Sequence, residues 1–117
     1  MVTRKNDSAM EITNHEFKDI INNSHKLVVV DFFADWCMPC LMLAPVLEEL
    51  ADNMKEVKFV KIDIDDNQEL SRKYEVRSIP CLIIFKDGKE VDRIMGNRAK
   101  EEIERRINNF VTKKYES

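Results

Sequence analysis

The stretch that most constrains this chain is Trp36-Cys37-Met38-Pro39-Cys40, which holds two cysteines three positions apart. Before it runs Leu27-Val28-Val29-Val30-Asp31-Phe32-Phe33, an apolar run rich in β-branched residues that reads as a strand covered on both faces. After it runs Leu41-Met42-Leu43-Ala44-Pro45-Val46-Leu47-Glu48-Glu49-Leu50, which reads as a helix with Pro45 expected to kink it. The pair therefore sits where a buried strand gives way to a helix. Unpaired N–H groups at a helix start favour an anion, and the thiolate is the reactive form of cysteine. In that position Cys37 is expected to face solvent as an activated thiolate. Cys40, one turn inward, is expected to be better shielded and close enough to form a disulfide with Cys37.

A chain of 117 residues is expected to hold one domain with one core. The sequence divides into a flexible lead-in over residues 1–10, a domain over 11–113 and a tail over 114–117. A formal charge of −3 offers no basic patch for nucleic acid or an anionic membrane. No apolar run reaches the length of a membrane span, and residues 1–10 hold no apolar signal core, so a cytoplasmic location is expected. Of the three cysteines two are clustered and Cys81 stands alone, unlike the spread cysteines of a disulfide-stapled secreted scaffold.

The remaining elements follow from pattern and punctuation. Thr13-x-x-Glu16 is a capping box that opens a short helix through Phe17, Ile20 and Ile21. Residues 57–63 read as a strand and residues 67–74 as a short helix. Residues 81–85 and 91–95 read as strands, joined by a hairpin at Asp87-Gly88 that needs positive φ. A terminal helix is expected over residues 99–112, with Ile103, Ile107, Phe110 and Val111 on its buried face. Strand and helix alternate before the closing hairpin and helix. The fold class is therefore α/β, a mixed sheet of about five strands with helices on both faces.

Two cysteines at this spacing serve dithiol exchange or half of a zinc site. Zinc wants four ligands, and only Cys81, His15 and His25 remain to supply them, with no second Cys-x-x-Cys. Asp31 interrupts the apolar strand. It is either a satisfied structural carboxylate or a buried acid with a raised pKa, suited to moving protons. Cys81 is either a small buried residue or a third thiol within reach of the pair, able to alter its redox behaviour or help hold a metal or iron–sulfur cluster between two chains.

The chain resembles the thioredoxin family from about Ile12 to Val111. The resemblance rests on Val30-Asp31-Phe32-Phe33-Ala34-Asp35-Trp36-Cys37-Met38-Pro39-Cys40, Ala44-Pro45, Val60-Lys61-Ile62-Asp63, Ile79-Pro80 before an apolar strand, and Gly88 and Gly96. It implies the thioredoxin fold and a protein-disulfide reductase that maintains redox homeostasis with a redox-active Cys37–Cys40 disulfide. Cys37 would be the nucleophile, Cys40 the resolving thiol, Asp31 the general acid and base, and Lys61 its neighbour. The Ile79-Pro80 bond would be cis. Trp36, Met38, Pro39, Ile79, Pro80 and Gly96 would bind the substrate, with backbone near Ile79 pairing to an extended segment. Disulfide-containing proteins would be the substrates and a thioredoxin reductase the electron donor, since no Gly-x-Gly-x-x-Gly is present to hold a dinucleotide; no cofactor or metal is implied. A monomer is expected. An oxidase or isomerase would use the same chemistry at a different redox poise, and a binding module would not need the cysteines at all. Met38 stands where the family most often has glycine, Leu41 where many bacterial members have lysine, and Cys81 where threonine is usual.

Overall fold

The computed structural model describes residues 9–111. Residues 1–8 of the lead-in expected over 1–10, the last turn expected at residue 112 and the tail over 114–117 lie outside the described residues.

Five strands form one mixed sheet: β1 (Met10–Glu11), β2 (Leu27–Phe33), β3 (Val57–Asp63), β4 (Cys81–Lys86) and β5 (Lys89–Met95). Their spatial order is β1-β3-β2-β4-β5, with β3 parallel to β1 and β2, and β4 antiparallel to β2 and β5. The helices are α1 (Asn14–Asn23), α2 (Met38–Asn53), α3 (Gln68–Lys73) and α4 (Lys100–Asn108). The thioredoxin fold expected from sequence is the fold observed.

β2 is central and buried on both sides, as its apolar run requires. Successive side chains alternate between faces. Leu27 and Val29 join Phe59, Leu82, Ile84 and Ile94 beneath Leu43, Leu47 and Leu50 of α2 and Ile103 and Ile107 of α4. Val28, Val30 and Phe32 face the other way, with Val60, Ile62, Ile83 and Phe85, beneath Phe17 and Ile21 of α1 and Leu70 of α3. Each such side chain contributes roughly 1.5–3 kcal/mol on burial. Phe17, Tyr74 and Phe85 meet edge to face with centroids 5.5 Å apart.

Local signals place the elements well. At the start of α1 the Thr13 N–H donates to Glu16 Oε1 at 2.9 Å, one half of the capping box. Two elements differ from expectation. Met10, assigned from sequence to the lead-in, pairs with Val60, and Glu11 pairs with Lys61, which makes β1 a short edge strand. In addition α4 ends at Asn108, before the expected residue 112, although Phe110 and Val111 still pack against the core.

The hairpin turn places Asp87 at φ 53° and Gly88 at φ 82°, the conformation that a tight two-residue turn demands. A Cβ on Gly88 would also lie 2.5 Å from Asn22 Oδ1, an atom at the end of a movable side chain. Gly88→Ala is expected to cost about 1 kcal/mol, mostly through the φ requirement, and to lower the urea midpoint without changing its slope.

Candidate active site

The site stands where β2 and β3 end and α2 begins. Cys37 is the N-cap residue of α2, with extended backbone (φ −91°, ψ 105°), and Pro39 falls in the first turn, where a missing N–H costs nothing. The Cys37 Sγ accepts the Cys40 N–H at 3.2 Å. The sulfur thereby takes the place that a serine or aspartate oxygen fills at other helix starts. Cys37 and Cys40 are joined by a disulfide, with Cα atoms 5.2 Å apart.

Cys37 does not face solvent in this oxidised state. It is 4 % exposed and Cys40 is 6 % exposed, so the difference in shielding expected from helix position is absent. The bond holds both sulfurs in a small cluster with Ala34, against which Phe33, Ile64 and Ile79 pack. What faces solvent is the rim: Trp36, Met38, Leu41 and Met42 are all exposed apolar side chains.

Asp31 is buried on the sheet face that α2 covers, and its Oδ1 has no hydrogen-bond partner among the described residues. Burial pushes its pKa up to about 7, and the nearby Lys61 charge only partly offsets this. Lys61 sits directly opposite Asp31 on β3, with its Nζ 4.9 Å from the centre of the Phe33 ring.

Trp36 is a surface side chain whose indole N–H donates to Asp65 Oδ2 at 2.8 Å. Asp65 is fixed in turn by its N–H donating to Asp63 Oδ1 at 2.8 Å. Sequence reasoning passed over Asp65, because an acidic run after a strand looks like a solvated turn. Across the site the Ile79-Pro80 bond is cis. The Pro80 carbonyl accepts the Gly96 N–H at 2.8 Å. Among the described residues Ile79 makes no backbone–backbone hydrogen bond, which leaves an edge open there. Gly96 has φ 81° and nothing within 4 Å of where a Cβ would lie, so backbone conformation rather than crowding explains the glycine.

Cys81 is elsewhere. It pairs with Phe32 and lies in the cluster on the opposite sheet face from Asp31. Burial pushes its thiol up to about 11. Among the described residues Cys81, His15 and His25 form no three-ligand cluster with the Cys37–Cys40 pair; the close group of acidic or thiol ligands is Glu11, Asp63 and Asp66.

A cysteine pair that opens and closes at a helix start carries two electrons at a time, and a chain built around one is a thiol–disulfide oxidoreductase. Comparison with known proteins narrows that class. The thioredoxin family model matches residues 8–109. A thioredoxin of Mycoplasmoides gallisepticum is 47 % identical over 92 residues, which is 79 % of this chain and 92 % of that protein. A thioredoxin of Mycobacterium bovis is 40 % identical over 112 residues, 95 % of this chain and 97 % of that one. The solved structure of a mutant thioredoxin from Halobacterium salinarum matches with a TM-score of 0.84 at 34 % identity, covering 96 % of this chain and 98 % of its own. The chain belongs to the thioredoxin family. Its activity is protein-disulfide reduction, its substrates are disulfide-containing proteins, and its role is redox homeostasis.

Proposed function

We propose that the reaction runs in two exchanges, with Cys37 as nucleophile and Cys40 as resolving thiol. The Cys37 thiolate attacks one sulfur of a substrate disulfide. A Cys37–substrate bond forms, the substrate disulfide breaks, and the first substrate sulfur leaves as a thiolate. Cys40 then passes its proton toward the Asp31 carboxylate and attacks the Cys37 sulfur, releasing the second substrate thiolate. Two electrons pass to the substrate, two protons complete its thiols, and the Cys37–Cys40 disulfide remains. The observation that carries this assignment is the Cys40 N–H aimed at the Cys37 Sγ, since a donor at that place stabilises a thiolate.

Asp31 is the general acid and base, because a carboxyl with a pKa of about 7 both takes and returns a proton at neutral pH. Lys61 moderates it. Trp36, Met38, Pro39, Ile79, Pro80 and Gly96 form the substrate groove, and the free backbone at Ile79 supports strand-like pairing with an extended segment. The exposed Met38, Leu41 and Met42 give the rim an apolar character suited to partners that bury apolar surface. A separate thioredoxin reductase restores the dithiol. The protein works as a monomer in the cytoplasm; among the described residues no helix is long and apolar enough to cross a membrane.

Alkylation of the dithiothreitol-reduced protein across pH tests the assignment. Cys37 is expected to react first, with a midpoint well below the value of about 8.5 for a free cysteine. Cys40 reacting first, or a Cys37 midpoint at or above that value, overturns it.

A further inference from the structure

Lys61 is shared. On the β3 strand it lies in register with Asp31 of β2 on one side and with Glu11 of β1 on the other. In-register residues of parallel strands point to the same face, and neighbouring strands are about 4.8 Å apart. The row therefore reads carboxylate, ammonium, carboxylate, running from an exposed edge to a buried centre. β1 is only two residues long, but it is pinned beside Lys61: the Ile12 N–H donates to the Lys61 carbonyl at 2.9 Å, and the Ile12 side chain is buried.

We infer that Glu11 is a positioning residue for the exchange reaction, competing with Asp31 for the Lys61 ammonium and so setting how much of that charge Asp31 receives. This rests on the reading of Asp31 as the acid–base group. The electrostatics run the same way. The Glu11 carboxyl is raised first by burial and lowered by Lys61, then raised further by Asp63, Asp35 and Asp66. Those three come from the end of β3, the loop before α2 and the loop before α3. α2, which covers this face, brings the Cys37–Cys40 pair. Asp31 responds to Lys61, and Glu11 is not among the charges acting on it. Two strand spacings separate the carboxylates by about 10 Å, and Lys61 stands between them, nearer to each than they are to one another. The lysine is therefore the stronger link between them.

The sign is fixed. Without the Glu11 charge Lys61 has one competitor fewer, the ionised form of Asp31 gains, and its titration moves to lower pH. The test follows the Asp31 carboxyl by carbon-13 NMR in reduced protein, with a chelator present to keep stray cations off Glu11, Asp63 and Asp66. Four proteins are compared: the parent, Glu11→Gln, Lys61→Met and the double variant. Glu11→Gln is expected to lower the midpoint by about half a pH unit, and the same change in the Lys61→Met background is expected to do almost nothing. The pH dependence of mixed-disulfide release is expected to shift with it. An unmoved midpoint, or an equal shift in both backgrounds, overturns the inference. Failure of the acid–base reading itself would look different: Glu11→Gln would still move the carboxyl titration, while Asp31→Asn would leave the pH profile of release unchanged.

Discussion

A Cys40→Ser protein is expected to stall on its substrate. Cys37 keeps its place at the start of α2, so the first exchange proceeds and a covalent mixed disulfide forms. The hydroxyl at position 40 cannot complete the second exchange, and the adduct accumulates. Turnover falls by on the order of a thousandfold or more, since a nucleophile acting in concert with its partner is not replaced piecemeal. Cys37→Ser loses turnover to the same degree yet forms no adduct. Mass spectrometry of each variant after incubation with a disulfide-containing protein separates the two. An adduct on Cys37→Ser, or none on Cys40→Ser, would reverse the roles of the two cysteines. Cys81 is not expected to substitute for either, being buried on the other face of the sheet with a pKa of about 11.

Asp31→Asn is expected to make the protein more stable, and the gain depends on pH. The carboxyl has a pKa of about 7 when folded, against an ordinary value of 3.8. Between those values the folded chain binds a proton that the unfolded chain has released. Unfolding therefore becomes easier as the pH rises from about 4, and the penalty is complete above about 7. Its size is on the order of 4 kcal/mol. Asparagine carries no charge but keeps a polar group in the same dry position, so the expected gain at pH 8 is about 2–3 kcal/mol. Urea unfolding of the oxidised proteins at pH 5 and pH 8 measures it. The difference between parent and variant should widen at the higher pH; an equal difference at both would mean that Asp31 is not held protonated by burial. The same substitution should slow exchange at neutral pH, so stability and activity are expected to move in opposite directions.

Much of this was legible in the residues. The β-branched run of β2 and the Cys-x-x-Cys after it placed the site, and Asp87-Gly88 placed the hairpin, because each of these is a local constraint. Asp31 stood out because a charge inside an apolar strand has few explanations. The burial of Cys37 was not legible, since it depends on the disulfide drawing the sulfur against Ala34 and on Ile64 and Ile79, which arrive from distant segments. β1 was missed because two residues are too few to show a period, and with it went the neighbourhood of Glu11 and Lys61. The bond from Trp36 to Asp65 spans 29 positions and has no sequence pattern at all. What escaped was long-range pairing, which chain order does not encode locally.

Cys37 and Cys40 belong to a third, small cluster of their own, apart from the two large ones that hold the sheet to its helices. A working edge mounted in this way can be reground without recasting the tool. Met38, Leu41 and Met42 lie exposed on its rim, so on the proposed reading changes there are expected to alter what the protein grips and to leave the frame behind it alone. A lineage can therefore retune such a protein by single steps on its rim, each tested by selection against new partners while folding is held nearly constant.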